Sequence, residues 1–260
     1  MIKIISWNVN SIRSRMAILE QLISEQTPDV LLLQETKCLD EKFPHLELDS
    51  FGYNIACHGQ KSYNGVAIMT KGPIEDVTKG LPNFDDEQAR YLECVTTINN
   101  AAIRVASVYV PNGSEVGSDK FHYKLAFLEA LKQHLANNLK YQEIGLFCGD
   151  YNVAPEEIDV YDPNYLEGSI GFNMLERKAI RSIINSGYYD LFRHKHHNLQ
   201  QFSWWDYRAS SLQNDRGMRI DYALGTPEAT AKLHDLQILK QYRDLNKTSD
   251  HAPILCELNL

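Results

Sequence analysis

The chain has 260 residues, is 43% hydrophobic, and carries 26 lysines and arginines against 34 aspartates and glutamates, a formal charge of −8. That composition supplies one large core, and no apolar run approaches the roughly 20 residues of a membrane span. The acidic balance argues against a partner held by a broad basic face. It leaves room for one met at an acidic cleft whose charge bound cations reverse.

The start, Met1 to Asn8, is too short in its apolar part for a signal peptide and reads as a strand over residues 2–9. Ile12, Met16, Leu19, Leu22 and Ile23 recur at helical spacing, and Pro28 stops that helix. Asp29 to Glu35 is a near-continuous apolar strand, the pattern of burial on both faces in an α/β protein. Tyr53–Cys57 and Gly65–Thr70 read as a strand pair with a turn at Tyr63-Asn64-Gly65. Tyr91–Ile98 and Ala102–Val110 form a second pair around Asn99-Asn100. Lys120 to Leu139 is a long helix with Phe121, Leu125, Leu128, Leu131 and Leu135 on one face.

Glu143 to Cys148 is a further strand, and Glu156 to Ile170 is polar and irregular. Phe172 to Ser186 is helical and ends at Gly187. His194-Lys195-His196-His197 reads as a solvated loop, because no adjacent carboxylate completes a metal site. Phe202 to Arg208 reads as an aromatic strand and Met218 to Leu224 as a strand with an acid inside it. Pro227 to Leu233 is a short helix; Leu236–Lys240 and Ile254–Leu258 are strands. Two rounds of strands with helices between them suggest one domain over residues 1–260, two packed sheets with helices outside. Cys38, Cys57, Cys94, Cys148 and Cys256 are odd in number and scattered, which disfavours a disulfide framework or zinc and fits a reducing, cytoplasmic setting.

The chemistry concentrates at strand ends. Leu146 to Asn152 is an apolar strand that stops at Gly149 and then presents Asp150 and Asn152, two residues apart and so on one face. Asn8, Glu35, Tyr109, Asp221, Asp250 and His251 end or begin other strands. This oxygen-rich set lacks a thiolate and selects Mg²⁺ or Mn²⁺ over zinc. Glu35 and Asp250 are candidate carboxylates for one ion. Asp150 and Asn152 could hold a second or handle an attacking water. His251 could meet a phosphate oxygen while Asp250 turns to the metal, with Asp221 orienting the ring from behind.

Six motifs occur in one order: Trp7-Asn8-Val9-Asn10, Leu33-Gln34-Glu35-Thr36-Lys37, Tyr109-Val110-Pro111-Asn112-Gly113, Gly149-Asp150-Tyr151-Asn152, Arg219-Ile220-Asp221 and Ser249-Asp250-His251-Ala252-Pro253. With them, the chain resembles the exonuclease III family of apurinic/apyrimidinic endonucleases, in the deoxyribonuclease I superfamily, from Ile2 to Leu258. His58-Gly59-Gln60-Lys61 and Phe202-Ser203-Trp204 add bacterial features of that family. The resemblance implies a four-layer α/β sandwich and Mg²⁺-dependent phosphodiester hydrolysis, with Mn²⁺ able to substitute. It makes Glu35 the principal metal ligand, helped by Asp250 and Asn8, with Asp150, Asn152 and His251 beside the metal. Asp150 would prepare water, Tyr109 and His251 would contact the scissile phosphate, and Asp221 would orient His251. Trp204, Met218 and Ile220 match a pocket for a base-less sugar. Asn10 and Asn112 would be substrate-side amides. Tyr63, Arg90, Arg208, Arg216, Arg219 and Lys247 are candidate phosphate contacts. The expected partner is duplex DNA with abasic sites or blocked 3′ ends, met by a monomer without membrane attachment. A phosphoesterase of inositol phosphates or sphingomyelin, and a damage-binding module without chemistry, are the alternatives. The aromatic segment at Trp204 and the full set of eight strand-end residues argue against them.

Overall fold

The structure, a computed structural model, describes residues 1–260. The apolar runs form strands. β1 (Ile2–Asn8), β2 (Val30–Gln34), β3 (Asn54–His58), β4 (Val66–Thr70), β11 (Leu233–Ile238) and β12 (Ile254–Leu258) make one six-stranded sheet in the order β11-β12-β1-β2-β4-β3. β5 (Ile74–Lys79), β6 (Tyr91–Ile98), β7 (Ala101–Tyr109), β8 (Ile144–Asp150), β9 (Tyr189–Asp190) and β10 (Asp221–Gly225) make the other, in the order β5-β6-β7-β8-β10-β9. Each sheet has one parallel pair, β1 with β2 and β7 with β8; the remaining pairs are antiparallel. Each parallel pair is bridged by a helix, Ile12–Gln26 or Asp119–Asn138, as parallel strands require.

The sheets face each other across Ile4, Leu32, Ile68, Val105, Leu146 and Cys148, all buried. Leu19, Leu22 and Ile23 bury the helix Ile12–Gln26 on the outer side of the first sheet, over Ile5 and Leu31. Phe127, Leu131 and Ile180, from the helices Asp119–Asn138 and Met174–Ile184, cover the other sheet. The molecule is therefore a four-layer α/β sandwich, two mixed sheets between helices, as the resemblance implies.

Several elements differ from the sequence reading. Phe202–Arg208 is not a strand; only Trp204 bridges, to Met218 and to His251. Phe202 and Trp205 pack inward from an irregular segment, and Tyr207 is exposed. The strand expected over Met218–Leu224 is ordered as β10 from Asp221, because Met218 and Ile220 line a cleft instead of continuing the ladder. The strand expected over Leu236–Lys240 begins at Leu233, and Lys240–Arg243 turn helical. β5 escapes an apolar reading because it is a largely exposed edge strand with charges. Within the expected histidine loop, His194 and Lys195 belong to a short helix, Leu191–Lys195. The His196 ring meets the Leu236 carbonyl at 2.9 Å. All five cysteines are buried and unpaired.

Candidate active site

Strand register explains how residues far apart in the chain become neighbours. β1 and β2 run parallel with Asn8 opposite Gln34, so Asn8 and Glu35 leave the same rim. β12 is antiparallel to β1, with Ile254 opposite Ser6, so Asp250 and His251 enter at that rim. In the second sheet Tyr109 is the register partner of Asp150, and Asp150 of Asp221. The two rims are pinned together by Gln34, whose amide donates to Ser107 Oγ at 2.9 Å, while Ser107 donates to the Leu33 carbonyl at 2.8 Å.

Several residues of this rim have strained backbones. Asn10, Glu35, Lys37 and Asn152 adopt φ of 44°, 52°, 54° and 53°, a left-handed region costly for residues with a Cβ. Gly149 is required by close approach: a Cβ there would lie 1.8 Å from the Val108 carbonyl oxygen.

The polar groups form one connected network. Asn8 Nδ2 donates to Glu35 Oε1 at 2.9 Å and to Asp150 Oδ2 at 3.0 Å. Asn152 donates to Asp150 Oδ2 through its side chain at 3.2 Å and to Oδ1 through its backbone at 2.9 Å. His251 Nδ1 lies 2.9 Å from Asp221 Oδ2, and its Nε2 lies 3.6 Å from Asp150 Oδ2. Ser203 donates to Asp221 Oδ2 at 2.6 Å, fixing the acid behind the ring. Asp250 accepts Asn10 Nδ2 at 2.9 Å and the Trp204 indole N–H at 3.0 Å.

Protonation follows from this packing. Burial works against the His251 imidazolium, but Asp221, Asp150 and Asp250 outweigh it and push the group up to about 10. Burial raises Asp150; His251 pulls it back, Asp221 and Glu35 push it on, and it comes up to about 7. Burial also opposes ionisation of Glu35, yet Lys37 and the Asn8 hydrogen bond bring it below the usual carboxylate range. Asp250 is likewise lowered, with His251, Trp204 and Asn10 overcoming burial. Burial, Glu35 and Asp150 hold the Tyr109 phenol well above its ordinary value, so it remains a donor.

Asp150, Asp221 and His251 bring potential ligand atoms within 4.8 Å of one another. Within this trio the His251 ring is held through Nδ1 by Asp221 and turns Nε2 toward Asp150. The Asn8 amide donates to both Glu35 and Asp150, and its oxygen accepts the Asn10 N–H at 3.0 Å. The groups suited to a hard divalent cation are the ionised carboxylates Glu35 and Asp250, with Asp150 adjacent. Lys37 Nζ, 2.8 Å from Glu35 Oε2, provides positive charge at the same carboxylate.

Glu35, Tyr109, Asp150, Asn152, Asp250 and His251 open into a cleft of about 250 Å³ whose apolar wall includes Trp204, Met218 and Ile220. Asn112, at its mouth, donates to Asn152 Oδ1 at 3.2 Å. Asn10 lies behind Asp250. A second depression, sharing Tyr109 and Asn112, holds Tyr63, which is exposed, and Arg90, whose guanidinium stacks 4.8 Å from the Tyr109 ring. Arg208, Arg216 and Lys247 are exposed.

Arg219 is not a phosphate contact. It is 1% exposed, with Nε 2.8 Å from Asp159 and Nη2 2.7 Å from Asp190, and it stacks on Tyr222. Arg219→Met should lower unfolding free energy by about 3–5 kcal/mol, because it removes the cation from Asp190 and leaves Asp159 with Arg193 alone. Denaturant titration measures this, and an unchanged midpoint would return Arg219 to the surface.

Sequence reading gave the supporting residues no role. Ser203 and Ser249 stand inside two of the motifs without a function of their own, and Ile170 and Gly171 carry no local signal. Ser249 donates to the Asn8 carbonyl at 2.6 Å, and Gly171 lines the cleft with Ile170. Lys124 does carry one: a charge three residues after Phe121, inside the apolar stripe of its helix.

Two face-to-face sheets with a carboxylate–imidazole–amide cleft at one rim define a phosphoesterase of the α/β sandwich class. A profile of the endonuclease/exonuclease/phosphatase family matches residues 5–251. Exodeoxyribonuclease III of Haemophilus influenzae is 33% identical, over 98% of this chain and 99% of that one. A Neisseria 3′ phosphatase bound to a product DNA hairpin superposes with a TM-score of 0.95, at 34% identity, covering 100% of both chains. An AP endonuclease from Archaeoglobus fulgidus gives 0.93, also at 34% identity and 100% of both chains. The chain belongs to the endonuclease/exonuclease/phosphatase family, as a nuclease of the exodeoxyribonuclease III and AP endonuclease type. No helix is long and apolar enough to cross a membrane.

Proposed function

We propose that this protein hydrolyses the phosphodiester 5′ to abasic sites in duplex DNA, with 3′-exonuclease and 3′-phosphatase activity, using Mg²⁺ or Mn²⁺. It would work as a monomer in the cytoplasm, with residues 1–260 as one catalytic domain. The observation that carries the reading is the meeting of Asp150, the His251–Asp221 pair and Glu35 beside an apolar cleft walled by Trp204, Met218 and Ile220.

In this reading Glu35 and Asp250 hold the cation, which supplies positive charge against the anionic ester. Asp150 takes the proton of a water whose oxygen bonds to phosphorus, the P–O3′ bond breaks, and the departing O3′ takes a proton from solvent water, leaving a 3′-hydroxyl and a 5′-deoxyribose phosphate. Asn152 keeps Asp150 oriented through both carboxylate oxygens. His251, charged and backed by Asp221, faces the growing negative charge on the phosphoryl oxygens. Tyr109 donates its phenolic proton as a hydrogen bond on the same side. Trp204, Met218 and Ile220 leave room for a flipped sugar and exclude an attached base. Arg90, Tyr63 and Asn112, which share the adjoining depression, would meet neighbouring phosphates.

The test compares matched duplexes carrying an abasic analogue, a blunt end, a 3′-phosphate or an RNA strand, each with and without Mg²⁺. Strand scission at the abasic analogue only with metal supports the reading; metal-independent or absent scission rejects it. Trp204 offers a finer check, because it both walls the cleft and donates to Asp250. Trp204→Phe removes the donor and should slow abasic incision and 3′-phosphate release alike. Trp204→Ala also opens the wall and should cost abasic incision about tenfold more than 3′-phosphate release. Equal losses in the alanine variant would leave the indole serving Asp250 alone.

A further inference from the structure

A fully buried ion pair lies behind the cleft and takes no part in the steps above. Lys124 and Glu176 are both 0% exposed. The Lys124 ammonium donates to Glu176, to the Asn112 carbonyl at 3.1 Å and to the Asn152 carbonyl at 2.7 Å, which uses all three of its protons. Glu176 in turn accepts the Gly171 N–H at 2.9 Å and the Asn173 N–H at 3.2 Å. Asn112, Asn152 and Gly171 all line the cleft. Three loops from distant parts of the chain therefore meet on one charge pair.

Stability alone is a poor reason for such a pair. Two charges removed from water lose hydration that their attraction repays only in part, and an apolar pair of similar volume is often as good or better. The arrangement does something an apolar pair cannot: it grips backbone carbonyls. On the cleft side of those carbonyls, Asn112 Nδ2 donates to Asn152 Oδ1 at 3.2 Å, and Asn152 Nδ2 donates to Val110 O at 2.9 Å and to Asp150 Oδ2 at 3.2 Å. Gly113, at φ 91°, makes space for the lysine stem; a Cβ there would lie 3.1 Å from Lys124 Cδ and 2.9 Å from Ile170 Cδ1.

We propose that Lys124 and Glu176 are positioning residues that hold Asn112, Asn152 and Gly171 in register around the scissile group. The proposal rests on the phosphodiester-cleaving reading of the cleft. The geometry places the pair behind Asn152 and Asn112, so its loss tilts the amide that orients Asp150 and loosens the Asn112 loop, while Tyr63 and Arg90, which the pair does not touch, stay in place. Misplacement of a reacting group by about 1 Å can cost on the order of 100-fold in rate.

The experiment uses the full chain with Lys124→Met, Lys124→Arg, Glu176→Gln and the double variant Lys124→Met/Glu176→Gln. Turnover is measured on abasic duplex and on a 3′-phosphate, together with Tm and hydrogen exchange. Lys124→Met should lower kcat by about 10–100-fold on both substrates with a smaller rise in KM, and Lys124→Arg, which keeps the charge but not the compact three-proton head, should recover only part of it. The double variant removes both charges and keeps an acceptor for the Gly171 N–H. Its Tm should recover relative to Lys124→Met while kcat stays low. Exchange should quicken at residues 110–113, 151–154 and 169–173 and stay unchanged elsewhere. A double variant that recovers kcat along with Tm would make the pair structural only and overturn the proposal. Unaltered exchange at those segments would overturn it as well. If the wild-type chain cleaves no DNA substrate, the functional reading fails, and exchange at the three segments still decides the positioning role.

Discussion

Asp150→Asn is expected to lower cleavage of an abasic duplex by about 10²–10⁴-fold, the usual contribution of a positioned general base, while duplex binding is retained. Asparagine preserves the volume and keeps an oxygen for the Asn8 and Asn152 side-chain amides, at the loss of the acceptor for the Asn152 N–H. What it loses is the ability to take a proton from water. Binding measured by anisotropy on the uncleaved abasic duplex separates the two effects. Full turnover in the variant would remove Asp150 from the chemistry.

The same residue sets the pH dependence. Asp150 is raised to about 7, so its basic form disappears as pH falls through that value. His251 is raised to about 10, so its positive charge is lost as pH climbs through that value. Turnover should rise through neutrality and decline near pH 10, with both limbs belonging to the interacting pair. The acidic limb should move to lower pH as Mg²⁺ concentration increases, since a nearby cation favours the carboxylate. Asp221→Asn should bring the alkaline limb down, because Asp221 is the largest stabiliser of the imidazolium. A profile that is flat from pH 6 to 10 would contradict the assignment.

Glu35→Gln is expected to reduce kcat by about 10³-fold, or about 4 kcal/mol of transition-state stabilisation, and to raise the Mg²⁺ concentration needed for half-maximal rate. Glu35 is held ionised chiefly by Lys37 and the Asn8 amide. Glutamine keeps the shape and removes the anionic donor. Calorimetric titration of the apo protein with Mg²⁺, without DNA, gives a readout independent of turnover. Chelation of the wild type should likewise stop cleavage until Mg²⁺ is restored. Equal metal requirement in wild type and Glu35→Gln would shift the cation site away from Glu35.

The amino-acid sequence by itself determined the alternation of buried strands and amphipathic helices, since apolar runs and their period are local properties. It also placed Asn8, Glu35, Tyr109, Asp150, Asp221 and His251 at strand ends, because an apolar run that stops at a polar residue is visible in the chain. Strand register and the contact of the two sheets were decided only in the tertiary structure. Those contacts put Trp204 Nε1 on Asp250, 46 residues away, and Lys37 beside Glu35 and Asn10. The same step buried Arg219 between Asp159 and Asp190 and turned Lys124 toward Glu176, 52 residues distant. A charge in a sequence carries no record of whether its partner is water or another side chain. That depends on which distant segment packs over it, and here the packing converted an expected DNA contact into an internal strut.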